Sequence, residues 1–391
     1  MPPTSPAPVP HAVPRRYDVP LLVLTSLLLC FGLVMLWSAS AFVALEETKN
    51  GFHFVTRQGL AIAIGLTLGV VGMVTPYRQL QKLAFSLYGA TIVMLFAVWV
   101  PGLGHAANGA QRWFGVGGFH VQPAEFAKLA LLVGLATWLH RHRANLHDVR
   151  NVLLPAGGFI LLPLLLIIRQ PDFGSTAIIV GLCGVMIFFA GIRLSWVATL
   201  ASIGAVILGV VMVAEPYRRA RLVAFLDPFA DCSGDGYQVC QSLLALQHGG
   251  VFGRGLGEGS AKLLYLPEPY NDFIAAVLGE ELGVPGFLLI TILYLAIAAR
   301  GFSIARRAKE MFGSLLANTL TVMLVGQAVL NLGVVLSLVP NKGLVLPFVS
   351  YGASAMMINL AAIGILLSVS AEARPVEAVQ AARSPSPPVP A

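Results

Sequence analysis

Long apolar runs constrain this chain more than any other feature. A helix needs about 20 mainly apolar residues to cross the hydrocarbon core of a bilayer, and runs of that length recur along the sequence. Of the 391 residues, 57% are hydrophobic and only 11% are charged, which is too apolar for a soluble protein of this size. The sequence therefore predicts an all-α integral membrane protein.

Ten spans result when the apolar runs are matched to this length. They cover residues 20–44, 54–74, 82–101, 122–140, 152–169, 174–191, 194–214, 272–299, 314–338 and 353–371. An even number puts both termini on one side, where short connections carry basic residues such as Arg78 and Arg300. The positive-inside rule makes that side the cytoplasm. It also explains the net charge of +7, so we expect no nucleic-acid partner.

Two tails and two outer loops complete the predicted organisation. Residues 1–18 and 374–391 are rich in Pro and predict disordered cytoplasmic tails around a membrane domain at 19–373. The outer face carries one loop from Pro101 and a large one at about 215–271. The large loop contains enough Leu, Tyr and Phe to pack. Because long connections of this kind are usually functional, we expect the function on the outer face.

The four cysteines indicate no metal site. Cys232 and Cys240 lie in the large outer loop, where an oxidising compartment permits a disulfide, although reduced thiols fit the sequence equally well. Cys30 and Cys183 lie within spans, where cysteine acts as a small hydrophobic residue. These spacings match no metal-binding signature.

Carboxylates concentrate in LPEPYNDFIAAVLGEELG, residues 266–283, although the chain has only 18 acidic residues. Asp272 lies where the loop becomes a helix, a common place for an N-cap. Glu280 and Glu281 each cost about 2.5–3.5 kcal/mol inside a span, so they usually face a cavity or a partner. Glu280 lies about 12 Å along the helix from Asp272, with Glu281 on the opposite face, which excludes a proton-sharing pair. Pro285 follows and is expected to kink the helix or free backbone carbonyls.

Basic residues on the predicted outer side oppose the topology rule. Arg112, Lys262 and Lys342 are among them. We expect some to meet an anion such as a lipid phosphate or pyrophosphate, and others to anchor in the headgroup region. Lys128 lies in the outer half of the fourth span, three residues after Glu125 on the same face. It either pairs with Glu125 or faces an anion.

Several of these segments, in this order, resemble the SEDS family (shape, elongation, division and sporulation). The similarity runs from WSAS through NGAQRWFGVGGFHVQPAEFAKLALL, RQPDFGST and GYQVCQSLLALQHGGVFGRGLGEG to LVPNKGLVLPFVSYGAS, nearly the whole chain. It implies about ten transmembrane helices with a large outer loop between helices 7 and 8. It also implies a peptidoglycan glycosyltransferase that polymerises lipid II at the outer face of the bacterial inner membrane. Its partners would be lipid II, a class B penicillin-binding protein and other division proteins.

The resemblance also implies roles for individual residues. The essential acidic residue of the family falls on Asp272, a hypothetical catalytic base at a water-accessible helix mouth. The GEELG glutamates fall on Glu280 and Glu281, and the QPD motif on Gln170 and Asp172, as residues that support the cavity.

The pyrophosphate of the substrate is expected to meet basic residues. The RW and AKL motifs of the family place two of them on Arg112 and Lys128, and Lys262 and Lys342 are further candidates. A divalent cation, Mg²⁺ or Mn²⁺, that bridges carboxylates and pyrophosphate is compatible with the sequence, which does not require one.

Three alternatives stay open. Lys342 and Gly343 resemble the division members of the family, whereas the GAQRW segment also fits the elongation members. A transporter of lipid II explains polar residues within spans, although no inverted repeat is visible. A non-catalytic scaffold predicts that replacement of Asp272 is harmless.

Overall fold

A computed structural model shows a bundle of α-helices with a small β-sheet at one end. It describes residues 16–100, 102–107, 110–116, 119–193, 236–263, 266–340 and 343–373, and scattered positions between 195 and 234. Lys342 lies outside the described residues. The predicted span at 194–214 also lies outside them, apart from scattered positions. Nearly all of the two predicted tails also lies outside them.

Ten α-helices occur in the described part of the chain. They are α1 (Val19–Thr48), α2 (His53–Val74), α3 (Tyr77–Ala97), α4 (Pro123–Arg141), α5 (Leu154–Arg169), α6 (Phe173–Phe189), α7 (Tyr237–Gly249), α8 (Ile274–Arg307), α9 (Met311–Val335) and α10 (Ala353–Ala371). All except α7 match a predicted span. All of these helices except α4, α6 and α7 are long and apolar enough to cross a membrane, which makes seven, with α5 counted together with the helical turn before it as Val149–Arg169. The predicted all-α membrane fold is confirmed.

Some helix ends differ from the predicted spans. Helix α3 begins at Tyr77 instead of residue 82, because its first turns carry polar residues that hydropathy assigns to the connection. Helix α8 continues to Arg307, beyond the predicted end at 299, for the same reason. Polar turns at a membrane surface remain helical, since their backbone hydrogen bonds lie within the helix.

The connection between α3 and α4, which is predicted to lie on the outer face, folds into a three-stranded antiparallel sheet. Its strands β1 (Gly104–Ala107), β2 (Ala110–Val116) and β3 (Phe119–Val121) pair in the order β1-β2-β3. The sequence signal for this sheet is a pair of turn dipeptides, Asn-Gly at 108–109 and Gly-Gly at 117–118, which are typical of tight hairpins.

The large loop that is predicted to lie on the outer face is cross-linked next to α7. A disulfide joins Cys232 to Cys240, with the two Cα atoms 5.6 Å apart. Of the two redox states that the sequence permits, the structure contains the bonded one. The bond ties the segment before α7 to the first turn of that helix.

Helix α10 is the centre of the bundle and is buried on almost every side. It lies against α2, where a Cβ atom on Gly364 would overlap the carbonyl oxygen of Gly69. Small residues at such a contact let two helices in a membrane approach closely, and the close packing stabilises them.

We expect Gly364→Val to destabilise the bundle by about 1–3 kcal/mol, the usual cost of forcing extra methyl groups into a packed interior. Thermal unfolding of the purified protein in detergent measures the change. Gly59→Val is the matched control, because Gly59 lies on the exposed side of α2 with no atom within 4 Å of an added Cβ. Equal melting temperatures for both variants would contradict the contact.

The two ends of the membrane domain lie on one side of the bundle. The backbone N–H of Asp18, just before α1, donates to Ser370 Oγ near the end of α10 at 3.1 Å. The Asp18 side chain caps α1 by accepting from Leu21 N at 3.1 Å. This arrangement agrees with an even number of spans, while the assignment of this side to the cytoplasm stays a prediction.

Candidate active site

Asp272 lies directly before α8, at the end of the bundle opposite to Asp18, and its side chain is half-buried. Phe273, not Asp272, occupies the N-cap position of α8. Asp272 thus lies one residue before the cap.

Two neighbouring segments fix the position of Asp272. Asn331 of α9 is 1% exposed, and its Nδ2 donates to the carbonyl oxygen of Asp272 at 2.9 Å and also to that of Leu344. Gly343 has a left-handed φ of 57°, and a Cβ there would lie 3.0 Å from Asp272 Oδ2. The carboxylate therefore packs against the backbone of the α9–α10 connection at Gly343, the residue that follows Lys342 in sequence.

An aromatic cluster supports the same end of the bundle. The ring centroid of Tyr270 lies 4.3 Å from that of Phe54 on α2, and the ring of Tyr351 lies 5.3 Å from Phe54. The backbone N–H of Tyr351 donates to Tyr270 O at 2.9 Å. The segment that carries Asp272 is thus attached to α2, to α9 and to the start of α10.

Glu280 is fully buried and binds backbone and side-chain groups of the large loop. Its Oε1 accepts from Ser260 N at 3.0 Å and from Ser260 Oγ at 2.8 Å, and its Oε2 accepts from Ala261 N at 2.9 Å. Arg254 lies farther away, with Nη1 3.9 Å from Glu280 Oε1. These bonds satisfy a carboxylate that would otherwise be costly at membrane depth.

Glu281 forms a buried ion pair with Lys262, with Nζ 2.6 Å from Oε1. Both carboxylate oxygens of Glu281 also accept from Ser38 Oγ of α1, at 2.8 and 2.7 Å. The Lys262 ammonium donates in addition to Gly257 O at 2.7 Å and lies 3.1 Å from Ser38 Oγ. An ammonium has three donors, and all three have partners here. Lys262 therefore neutralises Glu281 in this structure. Its predicted contact with a pyrophosphate stays a prediction.

Helix α8 bends at Gly283, where φ is 61° and ψ is −152°. The expected kink is present, but it lies two residues before Pro285. The bend leaves backbone carbonyls of α8 without partners in the helix, and the loop before α8 donates hydrogen bonds to them. Arg254 N donates to Glu280 O at 3.0 Å, and Gly255 N donates to Glu281 O at 2.9 Å. In return, Val284 N donates to Val251 O at 3.0 Å. The first turns of α8 and this loop therefore form one hydrogen-bonded unit.

Gln170 and Asp172 connect helix ends. Gln170 Nε2 donates to Leu95 O in the last turns of α3 at 3.0 Å. Asp172 is the N-cap of α6 and accepts from Ser175 N at 3.0 Å, while its Oδ2 accepts from Gln122 Nε2, directly before α4, at 2.8 Å. Both residues thus hold three helix ends together, while their predicted support of a substrate cavity stays a prediction.

Lys128 pairs with Glu125, with Nζ 2.7 Å from Oε2 and only 4% of the lysine side chain exposed. Of the two alternatives for Lys128, the structure shows this pair. Arg112 lies on β2 and is half-buried. The chain after β3 is attached to α10, because Gln122 N donates to Ser354 Oγ at 2.8 Å.

Asn331, Gln58 and Ser38 are absent from the residues predicted from sequence. Gln58 of α2 is 1% exposed; its Nε2 donates to Ser350 O at 3.1 Å, and its Oε1 accepts from Gly352 N at 3.2 Å. A carboxamide inside an apolar span is the signal that marks Asn331 and Gln58, whereas a serine such as Ser38 carries no comparable signal. No group of three or more His, Cys, Asp or Glu residues arranged to hold a metal ion occurs within the described part.

Comparison with known proteins gives long matches. A probable peptidoglycan glycosyltransferase FtsW of Geobacter metallireducens is 38% identical over 356 residues, which cover 91% of this chain and 95% of that protein. The stage V sporulation protein E of Bacillus subtilis is 40% identical over 357 residues, which cover 91% of this chain and 98% of that protein.

Solved structures resemble this fold over a similar length. A chain from a peptidoglycan synthase complex that coordinates polymerization and crosslinking is 31% identical, with a TM-score of 0.73, and the match covers 90% of this chain and 97% of that one. The rod shape determining protein RodA of Thermus thermophilus is 29% identical, with a TM-score of 0.67 and coverages of 90% and 96%. The family of cell cycle proteins described by FtsW, RodA and SpoVE matches residues 19–375. The chain therefore belongs to the FtsW/RodA/SpoVE family of cell cycle proteins.

Proposed function

We propose that this chain is a peptidoglycan glycosyltransferase that polymerises lipid II into glycan strands at the outer face of the bacterial inner membrane. The observation that carries the proposal is the placement of Asp272. Asn331 and the backbone at Gly343 hold this half-buried carboxylate at one end of an apolar bundle. Relatives that match nearly the whole chain are named "probable peptidoglycan glycosyltransferase FtsW".

The chemistry requires a base and a way to stabilise the leaving group. Asp272 takes the proton from the 4-hydroxyl of the acceptor sugar as that oxygen attacks the anomeric carbon of the donor. The bond between the anomeric carbon and undecaprenyl pyrophosphate breaks with inversion. Arg112, Lys128 and Lys342 stabilise the negative charge that develops on the pyrophosphate, and Lys128 does so after it exchanges its pairing with Glu125. A divalent cation can share this role.

The relatives also support a partner and a process. The similar chain in a peptidoglycan synthase complex supports a class B penicillin-binding protein as the partner that cross-links the strands. Identities of 38% and 40% to FtsW and SpoVE, against 29% to a RodA structure, support septal synthesis with other division proteins over elongation. The basic connections support cytoplasmic termini in the inner membrane.

Assays with purified lipid II distinguish the proposed transferase from a transporter and from a scaffold. The full chain, combined with its penicillin-binding partner in detergent, should convert lipid II into polymer that a denaturing gel resolves. A parallel assay measures the movement of lipid II across liposome membranes. Movement of lipid II without polymer would assign the chain as a transporter. The absence of both activities would favour a non-catalytic scaffold.

Gly343→Ala should lower the polymerisation rate by about 100-fold, because an ångström-scale shift of a reacting group can cost that much. The added Cβ meets Asp272 Oδ2 at 3.0 Å in a backbone conformation that disfavours alanine. Gly102→Ala is the matched control, since Gly102 has a φ of 87° and no atom within 4 Å of an added Cβ. Equal polymerisation rates for the two variants would contradict a role of Gly343 in positioning Asp272.

A further inference from the structure

A cavity of about 220 Å³ opens at the end of the bundle opposite to Asp272, where α1 begins. Its lining includes Arg16, Asp18, Arg300, Arg307 and Ser370. None of these residues takes part in the proposed transferase reaction, so the cavity needs its own explanation.

One part of the cluster is explained by the fold. The buried Asp18 carboxylate accepts from Arg300 Nη2 at 2.6 Å and Nε at 3.1 Å, and from Arg307 Nη2 at 3.3 Å. Burial alone would raise the pKa of Asp18, but the bonds from Arg300 and Leu21 and the nearby positive charges lower it instead. The carboxylate is therefore charged and fixes α1 against α8.

The charges of the cluster do not balance. Three arginines and one aspartate line the cavity, which leaves two positive charges in excess. Arg16 is exposed and makes no hydrogen bond or ion pair with any described residue, and 37% of the Arg300 side chain is exposed. Each guanidinium carries five N–H donors, of which the described bonds use two on Arg300 and two on Arg307. The cavity thus retains both charge and donors for an anion.

The surroundings of the cavity indicate where that anion comes from. Val19, Leu22 and Val23 of α1 are 63%, 46% and 47% exposed, so the apolar surface that faces lipid tails begins directly beside the cavity. The cavity therefore lies at headgroup level. Guanidinium groups bind phosphate in a bidentate manner and are less strongly hydrated than ammonium groups.

We propose that the Arg16–Asp18–Arg300–Arg307 cavity is a phosphate-binding site that takes the phosphodiester of an anionic membrane lipid. The site lies on the side of the membrane that is predicted to be cytoplasmic. It leaves the lipid chains beside the exposed apolar face of α1 and puts the phosphate against the excess positive charge.

Native mass spectrometry of the full chain in neutral detergent tests the proposal, with phosphatidylglycerol as the probe and diacylglycerol as the phosphate-free lipid. Arg16→Gln should weaken phosphatidylglycerol binding about fivefold, the effect of one arginine near an anionic surface. Asp18→Asn should strengthen it by a similar factor, because the amide keeps the capping oxygen but removes the competing charge. Lys82→Gln is the control, an exposed cation of α3 outside the cavity.

Opposite changes in the two variants would support a phosphate site, since a purely structural cluster predicts no gain from Asp18→Asn. Inorganic phosphate at the same concentration as the lipid distinguishes the sources: preferential binding of inorganic phosphate would assign the site to free phosphate, and preferential binding of phosphatidylglycerol would assign it to the lipid. Equal binding by wild type, Arg16→Gln and Asp18→Asn, or equal binding of diacylglycerol, would overturn the proposal.

Discussion

Asp272→Asn is expected to slow the polymerisation of lipid II by about 100-fold to 10,000-fold, the range that a general base contributes. The change keeps the shape of the side chain, and the backbone bond from Asn331 to the Asp272 carbonyl does not depend on the carboxylate. The loss should therefore appear in the rate and not in the stability. Gel analysis of glycan product measures it, with the penicillin-binding partner present.

Glu268→Gln is the matched control for this variant. Glu268 lies four residues earlier in the same segment and is exposed, and its carboxylate accepts only from Asn271 Nδ2 among the described groups, at 3.0 Å. We expect a normal rate for Glu268→Gln and an unchanged melting temperature for both variants. Normal product from Asp272→Asn would end the assignment of Asp272 as the base.

Lys262→Met is expected to destabilise the protein by about 3–5 kcal/mol, the cost of leaving one member of a buried ion pair without its partner. The Glu281 side chain has no exposed surface, and that of Lys262 is 8% exposed. Among the described residues, removal of the ammonium leaves the Ser38 hydroxyl as the partner of the Glu281 carboxylate. Thermal unfolding in detergent measures the loss.

The double variant Lys262→Met/Glu281→Leu should recover much of that stability, because well-packed apolar residues replace a buried pair at little cost. Arg254→Gln is the control from the same loop. Its side chain is 42% exposed and 3.9 Å from Glu280, so we expect a change below about 1 kcal/mol. A single variant that melts like the wild type would contradict the structural role of Lys262.

The membrane spans could be predicted from sequence because the thickness of a bilayer sets their length. Helix α1 at Val19–Thr48 was predicted at 20–44, and α2 at His53–Val74 at 54–74. A bend of α8 was also expected, since Pro285 interrupts the helix, although the structure places the bend at Gly283. In these cases the information is local in the chain.

The partners of polar side chains could not be predicted in the same way. Lys262 is 19 residues from Glu281, and Ser38 is 243 residues from Glu281. Composition alone therefore does not tell whether the Lys262 ammonium binds a glutamate or a pyrophosphate. Asn331 contacts Asp272 across 59 residues. Such pairings depend on how the helices pack, which hydropathy does not specify.

The direction of synthesis favours the insertion of the two buried glutamates of α8. A carboxylate that enters a bilayer without a partner costs about 2.5–3.5 kcal/mol. The groups that bind Glu280 and Glu281 lie at Ser38 and at residues 260–262, all of which leave the ribosome before α8. The helix thus enters the membrane after its partners have been synthesised, and the chain never has to insert both acids before their counterparts exist.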